Sequence, residues 1–401
     1  MSDEFDVVII GAGLAGAASA WAATRRGLSV LVLEQFEPDH GRGSSHGSAR
    51  IVRRAYGDRL YVSLTGRAFE LWREVEAASG RSLLNFYGGL DFGPNRHVPT
   101  VAELLRAHGV AHEVLPAAEA EMRWPGMRFE GEVVFHPQAG TMDAAASVRA
   151  MLDLARAAGA EVRYGTAVTR VLPDDTGAGV QLDSGSSFGE QVRGRVVVVA
   201  AGGWVEQLAG KFVPLPEIRV TRQQVFHFPR VDPTQVPWPS TIHEAAEFAF
   251  YHLAGGRDGG PNDDRKIGQH GGGTPINMGV ADGGGGQEIT AGGADHDGVV
   301  NPVVRKRVVS YVKEWFPGLV PVPSAEVTCL YTTTPSEDFL IDRTGPLVVC
   351  SPCSGHGAKF APLIGELTAD LVTGSSSAGV AFPERFRLDA HTLAQSGAVS
   401  L

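Results

Sequence analysis

The sequence is short of most features that would staple a small fold together or carry it to a membrane. Only three of its 401 residues are cysteine, and an odd, small number in a long chain excludes a disulfide framework. No apolar run approaches the roughly 18 residues needed to span a bilayer. The acidic opening MSDEFD has neither the basic nor the apolar region of a signal peptide. Positive charge is also scarce: 35 Lys and Arg face 45 Asp and Glu, a net charge of −10. That balance argues against nucleic acid or an anionic membrane as the main partner. These shortages predict a soluble, cytoplasmic protein, and the closing Val-Ser-Leu only resembles a peroxisomal Ser-Lys-Leu address. Hydrophobic residues at 43% and charged residues at 20% are ordinary for a globular chain. The length predicts about two to four domains, each able to bury a core without disulfide or metal staples. Glycine is the one excess, with 51 residues, densest over residues 255–298. Such a stretch reads as a long surface loop or as a lid over a substrate.

Elsewhere the pattern alternates. Residues 5–11 form an apolar strand run, 15–26 a helix ending at Gly27, and 30–34 a second strand, giving β-α-β. Residues 144–160 read as a helix, 161–171 and 195–200 as strands, 346–350 as a strand and 357–373 as a helix. Between these pieces, 132–137, 219–228 and 248–253 read as strands of a second, sheet-rich unit, with a helix over 301–315. Two interleaved domains fit this order better than two consecutive ones: 1–85, 141–215 and 331–401 for the first, 86–140 and 216–330 for the second.

The sharpest motif is Gly11-Ala12-Gly13-Leu14-Ala15-Gly16, set between the first strand and the first helix. Gly11 makes the tight turn, Gly13 lets backbone approach a pyrophosphate, and Gly16 packs helix on strand. Glu34 closes the second strand, where a carboxylate accepts hydrogen bonds from ribose hydroxyls. Together they predict a dinucleotide site. The motif does not choose between nicotinamide and flavin. Its place near the N-terminus, with Ser354-Gly355-His356-Gly357 near the other end, favours FAD, one chain end serving each end of a long cofactor.

Four cations stand out in this acidic chain: Arg50, Arg53, Lys266 and Lys359. Arg50 and Arg53 are three residues apart, so on a helix they share a face and could hold a carboxylate; the alternative is a solvated basic face. Lys359 falls in the first turn of the C-terminal helix, where the macrodipole disfavours a cation unless an anion is near. Over 265–270, strand alternation puts Lys266, Gly268 and His270 on one face, with Gly268 leaving open surface for a flat ring. Lys266 could equally be a solvated edge-strand lysine, and His270 a structural histidine. Cys350-Ser-Pro-Cys353 could suggest zinc or a dithiol, but no second ligand pair lies nearby, and packing of small residues is the better account.

In these residues the chain resembles the monomeric sarcosine oxidase family, which includes N-methyltryptophan and pipecolate-type oxidases and consists of FAD-containing amine oxidases. The resemblance rests on GAGLAG with Glu34, HGSARIVRRAYG, KIGQH, CLYTTTP and SGHGAKF, in the family's order. It implies an α/β fold: a Rossmann-like FAD-binding domain of the DAO type interleaved with an α+β substrate domain on a mixed or antiparallel sheet. It implies FAD attached covalently through Cys329, and a cofactor site built from Gly11, Gly13, Gly16, Glu34, Arg42, Ser45, His46, Val168, Cys329, Gly355, Gly357 and Lys359. It further implies that Arg53 and Lys359 bind the substrate carboxylate, Tyr251 borders the pocket, and Lys266, Arg50 and His270 serve catalysis, Lys266 by activating oxygen. The implied reaction oxidises a secondary or cyclic amino acid next to nitrogen, giving an imine and hydrogen peroxide, with the enzyme working as a monomer on a small molecule and molecular oxygen. Alternatives are a dehydrogenase with another acceptor, a biosynthetic imino-acid oxidase of the pipecolate type, and a flavoprotein whose flavin is structural. The chain departs from the family at Gln269, where the family has tyrosine, and in a charged insertion over 257–265. With the glycine-rich loop after His270, these departures alter the region that would cover the substrate and argue against sarcosine itself, the loop favouring a larger one.

Overall fold

The computed structural model describes residues 4–183, 190–232, 234, 236–278 and 300–391. Its first sheet grows from valine-rich segments. Glu4–Ile10 pairs in parallel with Val30–Leu33 on one side and Gln191–Val199 on the other, and Leu347–Ser351 and Glu161–Arg163 extend the parallel set. Val168–Asp174, Gly177–Leu182 and Leu340–Thr344 add antiparallel strands, making eight. Parallel strands are covered on both faces, so they need apolar side chains at successive positions. Val7, Ile9, Val30 and Val32 enter one core, while Val8, Ile10, Leu31 and Leu33 enter the other. Fully burying each such side chain contributes about 1.5–3 kcal/mol.

The first helix, Leu14–Thr24, is nearly all small residues and is buried along its length. The C-terminal helix Ala361–Thr373 lies against it so closely that a Cβ on Gly365 would stand 2.3 Å from the Ala18 carbonyl oxygen. This contact brings the two ends of the chain to one place.

The second sheet has nine strands, in the order Thr274–Pro275, Arg219–Phe228, Arg265–His270, Ala249–Ala254, Ser240–Glu244, Gly89–Phe92, Glu132–His136 and Glu113–Pro116, with Ala325–Thr333 paired to Arg219–Phe228. All its pairings are antiparallel except Ser240–Glu244 with Gly89–Phe92, so the sheet is mixed. Helix Pro302–Trp315, capped by Asn301, packs Val304, Val308 and Val312 into its core.

Several sequence expectations change. Arg50–Val52 is a strand rather than a helix, because β-branched Ile51 and Val52 pair with the distant Gly140–Met142. Gly140 (φ 158°) permits this sheet, since a Cβ there would lie 2.0 Å from the Asn85 carbonyl oxygen. The run over 161–171 splits into two strands of different partners. The C-terminal helix begins at Ala361, and Lys359 sits in the preceding 3-10 turn Gly357–Phe360. Of the glycine-rich stretch, 279–298 lies outside the described residues, as does the terminal Val-Ser-Leu; its described part includes the buried strand Arg265–His270 as well as loop. Among the described residues no helix is long and apolar enough to cross a membrane.

Candidate active site

Between the two sheets lies a cavity of about 800 Å³. One half is shaped by the glycine turn. Gly11 has a φ of 98°, and its Cβ would meet the Ala200 carbonyl oxygen at 2.6 Å. A Cβ on Gly16 would lie 1.8 Å from the Gly11 oxygen, which places Gly16 behind the turn rather than on the cavity wall. Gly13 begins the helix with no side chain capping it, and Ser45 Oγ accepts from the Leu14 amide at 3.0 Å. A helix N-terminus left open toward a cavity is an anion site. Glu34 is oriented by the amides of Ala12 (2.8 Å) and Phe36 (3.1 Å), each occupying one carboxylate oxygen and leaving both able to accept more. Val168 and His46 line the wall nearby. Arg42 is outside the lining and lies over the Phe36 ring, 5.0 Å from its centroid.

Deeper in, Arg50 donates to the carbonyl oxygens of Ser44 (3.0 Å), His46 (2.7 Å) and Ala49 (2.9 Å), so its guanidinium holds the 44–49 loop. Lys266, buried in its strand, donates to the same Ala49 oxygen at 3.1 Å. Burial, and then Arg50, lower its pKa from the usual lysine range to about 7, against opposing contributions from Cys329 and Asp258. Cys329 is 8% exposed and lines the cavity from Ala325–Thr333. Gly268 does not present open surface: the Tyr251 ring covers it, its hydroxyl 2.4 Å from where a Cβ would be, and Tyr251 hydrogen bonds to Tyr331. Cys350 and Cys353 are free thiols, their pKa values pushed up by burial to about 12 and about 11.

A second cation pair lies apart from this one. Lys359, 4% exposed, donates to Tyr56 Oη (3.0 Å) and to the His356 carbonyl oxygen (2.7 Å), and among the described residues it makes no ion pair. Burial, helped by Arg53, holds its pKa well below the lysine range. Arg53 lies over the Tyr56 ring at 4.2 Å. Its Nη1 has no hydrogen bond, the nearest carboxylate oxygen being that of Asp91 at 3.7 Å. His270 and Tyr331 pack around Gly355 (φ 72°), whose Cβ would meet them at 2.8 and 2.5 Å. Burial keeps His270 neutral against the pull of Glu337, with Arg53 adding to the lowering. Gly357 completes this wall. Thus Arg50 and Arg53 both reach the cavity but serve different parts of it, because the strand Arg50–Val52, not a helix, leads from one to the other.

Sequence reasoning missed the group that holds Arg53. Asp91, 1% exposed, accepts from Arg96 Nε at 2.8 Å, faces Arg53, and has His136 Nε2 at 3.5 Å. Arg96 also donates to Glu244 (2.9 Å) and to the Ala55 carbonyl oxygen (3.1 Å), fixing the backbone just after Arg53. No local spacing announces such a network. An aspartate in an otherwise apolar strand, Gly-Leu-Asp-Phe, was the available signal.

The match to the family model described as DAO, FAD dependent oxidoreductase, runs over residues 6–371. The chain belongs to this family. Monomeric sarcosine oxidase from Bacillus sp. (strain B-0618) is 29% identical over 387 residues, 92% of this chain and 93% of the relative. N-methyl-L-tryptophan oxidase from Salmonella heidelberg (strain SL476) is 29% identical over 386 residues, 93% of this chain and 96% of the relative. Among solved structures, a point mutant of NikD, described as an unusual amino acid oxidase essential for nikkomycin biosynthesis, superposes with a TM-score of 0.80 at 25% identity, covering 96% of this chain and 98% of that one. The cavity fits the DAO cofactor: the N-terminus of helix Leu14–Thr24 lies on its wall with no cap from Gly13, Ser45 meeting the Leu14 amide, and Glu34 keeps free acceptor sites. Ser45, Glu34 and the amides of Gly13 and Ala15 would hold the dinucleotide, and Arg50, Lys266 and Cys329 would lie toward its ring.

Asp91 supplies a test of the network. Burial alone would raise its pKa; Arg96, the His136 hydrogen bond and Arg53 outweigh that and bring it down to about 2. A depressed carboxylate stabilises the fold above its unfolded pKa of about 3.9, and the contribution disappears as pH falls toward 2. Asp91→Asn, which strands a buried arginine, should cost about 3–5 kcal/mol at pH 7. Denaturant melts should show the gap from wild type narrowing between pH 4 and 2; a gap that stays flat would remove Asp91 from this role.

Proposed function

We propose that this enzyme oxidises a secondary or cyclic amino acid at the carbon next to nitrogen, giving an imine, and passes the electron pair to oxygen as hydrogen peroxide. The observation that carries the reading is the Lys359–Arg53 pair: a buried ammonium with no carboxylate partner among the described residues, beside a guanidinium with an unused N–H. A buried lysine without a carboxylate, beside an arginine that only shares Asp91 with Arg96, calls for an anion from outside, and a substrate carboxylate meets that need. The relatives named for sarcosine and N-methyl-L-tryptophan support an N-alkyl amino acid.

FAD, when bound, supplies a two-electron acceptor for the carbon–nitrogen bond. The chain does the rest. Arg53, steadied by Asp91 and Arg96, and Lys359, steadied by Tyr56, grip the carboxylate and so fix where the amine sits. Neutral His270 can accept a hydrogen bond from the amine and so tune its protonation. Tyr251 and Tyr331, both protonated because burial raises their pKa values, wall the pocket without adding charge. On the other side Arg50 and Lys266 keep positive charge in a dry site, where it stabilises negative charge far more than in water. Cys329 is the proposed point of covalent attachment.

The decisive experiment is an anaerobic panel of amino acids and matched amines, scored by bleaching of the yellow chromophore. Carboxylate-bearing secondary or cyclic amines should bleach it. Arg53→Ala and Lys359→Met should each weaken their binding by about 2–5 kcal/mol. Equal turnover of amines lacking the carboxylate, in wild type and Arg53→Ala alike, would refute the reading.

Covalent attachment predicts that acid-precipitated protein stays yellow and that Cys329→Ser releases its colour into the supernatant. A colourless wild-type pellet would end that assignment.

For Lys266, replacement by methionine keeps length and removes charge. Return of the oxidised spectrum under air should slow more than tenfold, over about 1.4 kcal/mol of barrier, while anaerobic bleaching changes much less. In the wild type this return should slow as pH rises through about 7, where Lys266 loses its proton, and the variant should lose that dependence. An unchanged stopped-flow rate would exclude Lys266.

A further inference from the structure

The charged insertion has a place in this chemistry that its sequence does not disclose. After the strand Ala249–Ala254 the chain makes a 3-10 turn, Gly256–Gly259, and lands on the 44–49 loop of the other sheet's domain. Two hydrogen bonds run in opposite directions there: the Ser48 amide donates to Asp258 Oδ2 at 2.7 Å, and the Asp258 amide donates to Ser48 Oγ at 3.0 Å. Glycines keep the space for this pair. A Cβ on Gly47 (φ 81°) would lie 2.9 Å from Asp258 Oδ2, and one on Gly256 (φ 64°) 2.8 Å from Ser48 Oγ. Next to Asp258, Arg257 pairs with Asp143, the residue that caps helix Ala144–Ala157. The turn is therefore pinned at two adjacent residues.

Ser48 precedes Ala49, whose carbonyl oxygen accepts from both Lys266 and Arg50. We propose that Asp258 is a positioning residue for Lys266: it clamps Ser48, which fixes the Ala49 carbonyl that holds the ammonium, and it brings a carboxylate into range of that ammonium. The inference rests on the reading of Lys266 as the cation beside the cofactor ring. The groups facing Lys266 are Arg50 from its strand, Cys329 from Ala325–Thr333, Asp258 from the turn, and His227, its cross-strand partner on Arg219–Phe228, itself in the field of Asp264. Arg50 disfavours the charged lysine, as does burial, and Asp258 favours it. Asp258 is itself exposed, so its two bonds to Ser48, and not burial, keep it in place.

The chain has five lysines, few enough to follow individually. FAD-loaded protein labelled with [13Cε]lysine would be titrated by NMR, with the Lys266 resonance assigned by its loss in Lys266→Met. Asp258→Asn keeps an oxygen to accept from Ser48 and removes the charge; the Lys266 midpoint should fall by about half a pH unit or more. Asp258→Glu should restore much of it, which a merely structural role would not do. In Asp258→Ala the clamp goes as well, and the Lys266 resonance should also broaden or shift at fixed charge state. An unmoved Lys266 midpoint in Asp258→Asn overturns the proposal even if Asp258→Ala fails to fold. A midpoint that moves while the return of the oxidised spectrum under air is unaffected at every pH supports the clamp and refutes instead the reading of Lys266 as the oxygen-facing cation.

Discussion

Unbalanced positive charge in a dry cavity is the constraint around which this structure is arranged. Arg50, Arg53, Lys266 and Lys359 all reach one interior space, and the two lysines are almost wholly buried. Taking a charge out of water costs several kcal/mol even after relaxation, and of the four only Arg53 has a carboxylate in ion-pair range among the described residues. Backbone oxygens hold Arg50 and Lys266; a phenol and a carbonyl hold Lys359; a shared, distant aspartate faces Arg53. The fold keeps the cations solvated by dipoles and leaves their charge to be answered by ligands.

The cations fall into two pairs with separate support. Arg50 and Lys266 depend on the 44–49 loop and, through it, on the turn at Asp258. Arg53 and Lys359 depend on Tyr56 and on the Asp91–Arg96 pair. The two groups of supports share no residue. The tyrosines and His270 between them carry no charge at neutral pH, which preserves the contrast between the positive walls and the neutral middle of the pocket.

What could be seen in the sequence was what local geometry dictates. The turn at Gly11, the strand over 219–228 and the helix after Asn301 follow from backbone conformations and periodicities that few other residues would satisfy. The i, i+3 spacing of Arg50 and Arg53 misled because it is also what two arginines separated by a short β-branched strand look like; the partner that settles the matter, Gly140–Met142, is some ninety residues away. Asp91 and Asp258 were illegible for the same reason. Each acts on a residue remote in sequence, and Ser48 and Asp258 are 210 positions apart. The covering of Gly268 by Tyr251 likewise depends on the register between two strands, which periodicity alone does not supply.

The strand Ala325–Thr333 has a mechanical consequence. It bears Cys329 and Tyr331, and it runs against Arg219–Phe228 in nine successive residue pairs without a break in register, while its Leu330 carbonyl accepts from Ser44 Oγ of the cofactor-side loop at 2.6 Å. This seam lies within the second sheet and fastens Cys329 and Tyr331 to it, while the Ser44 bond ties the same strand to the cofactor-side loop. Cys329 and Tyr331 therefore keep their places relative to the second sheet, since shifting their strand alone would break its ladder with Arg219–Phe228.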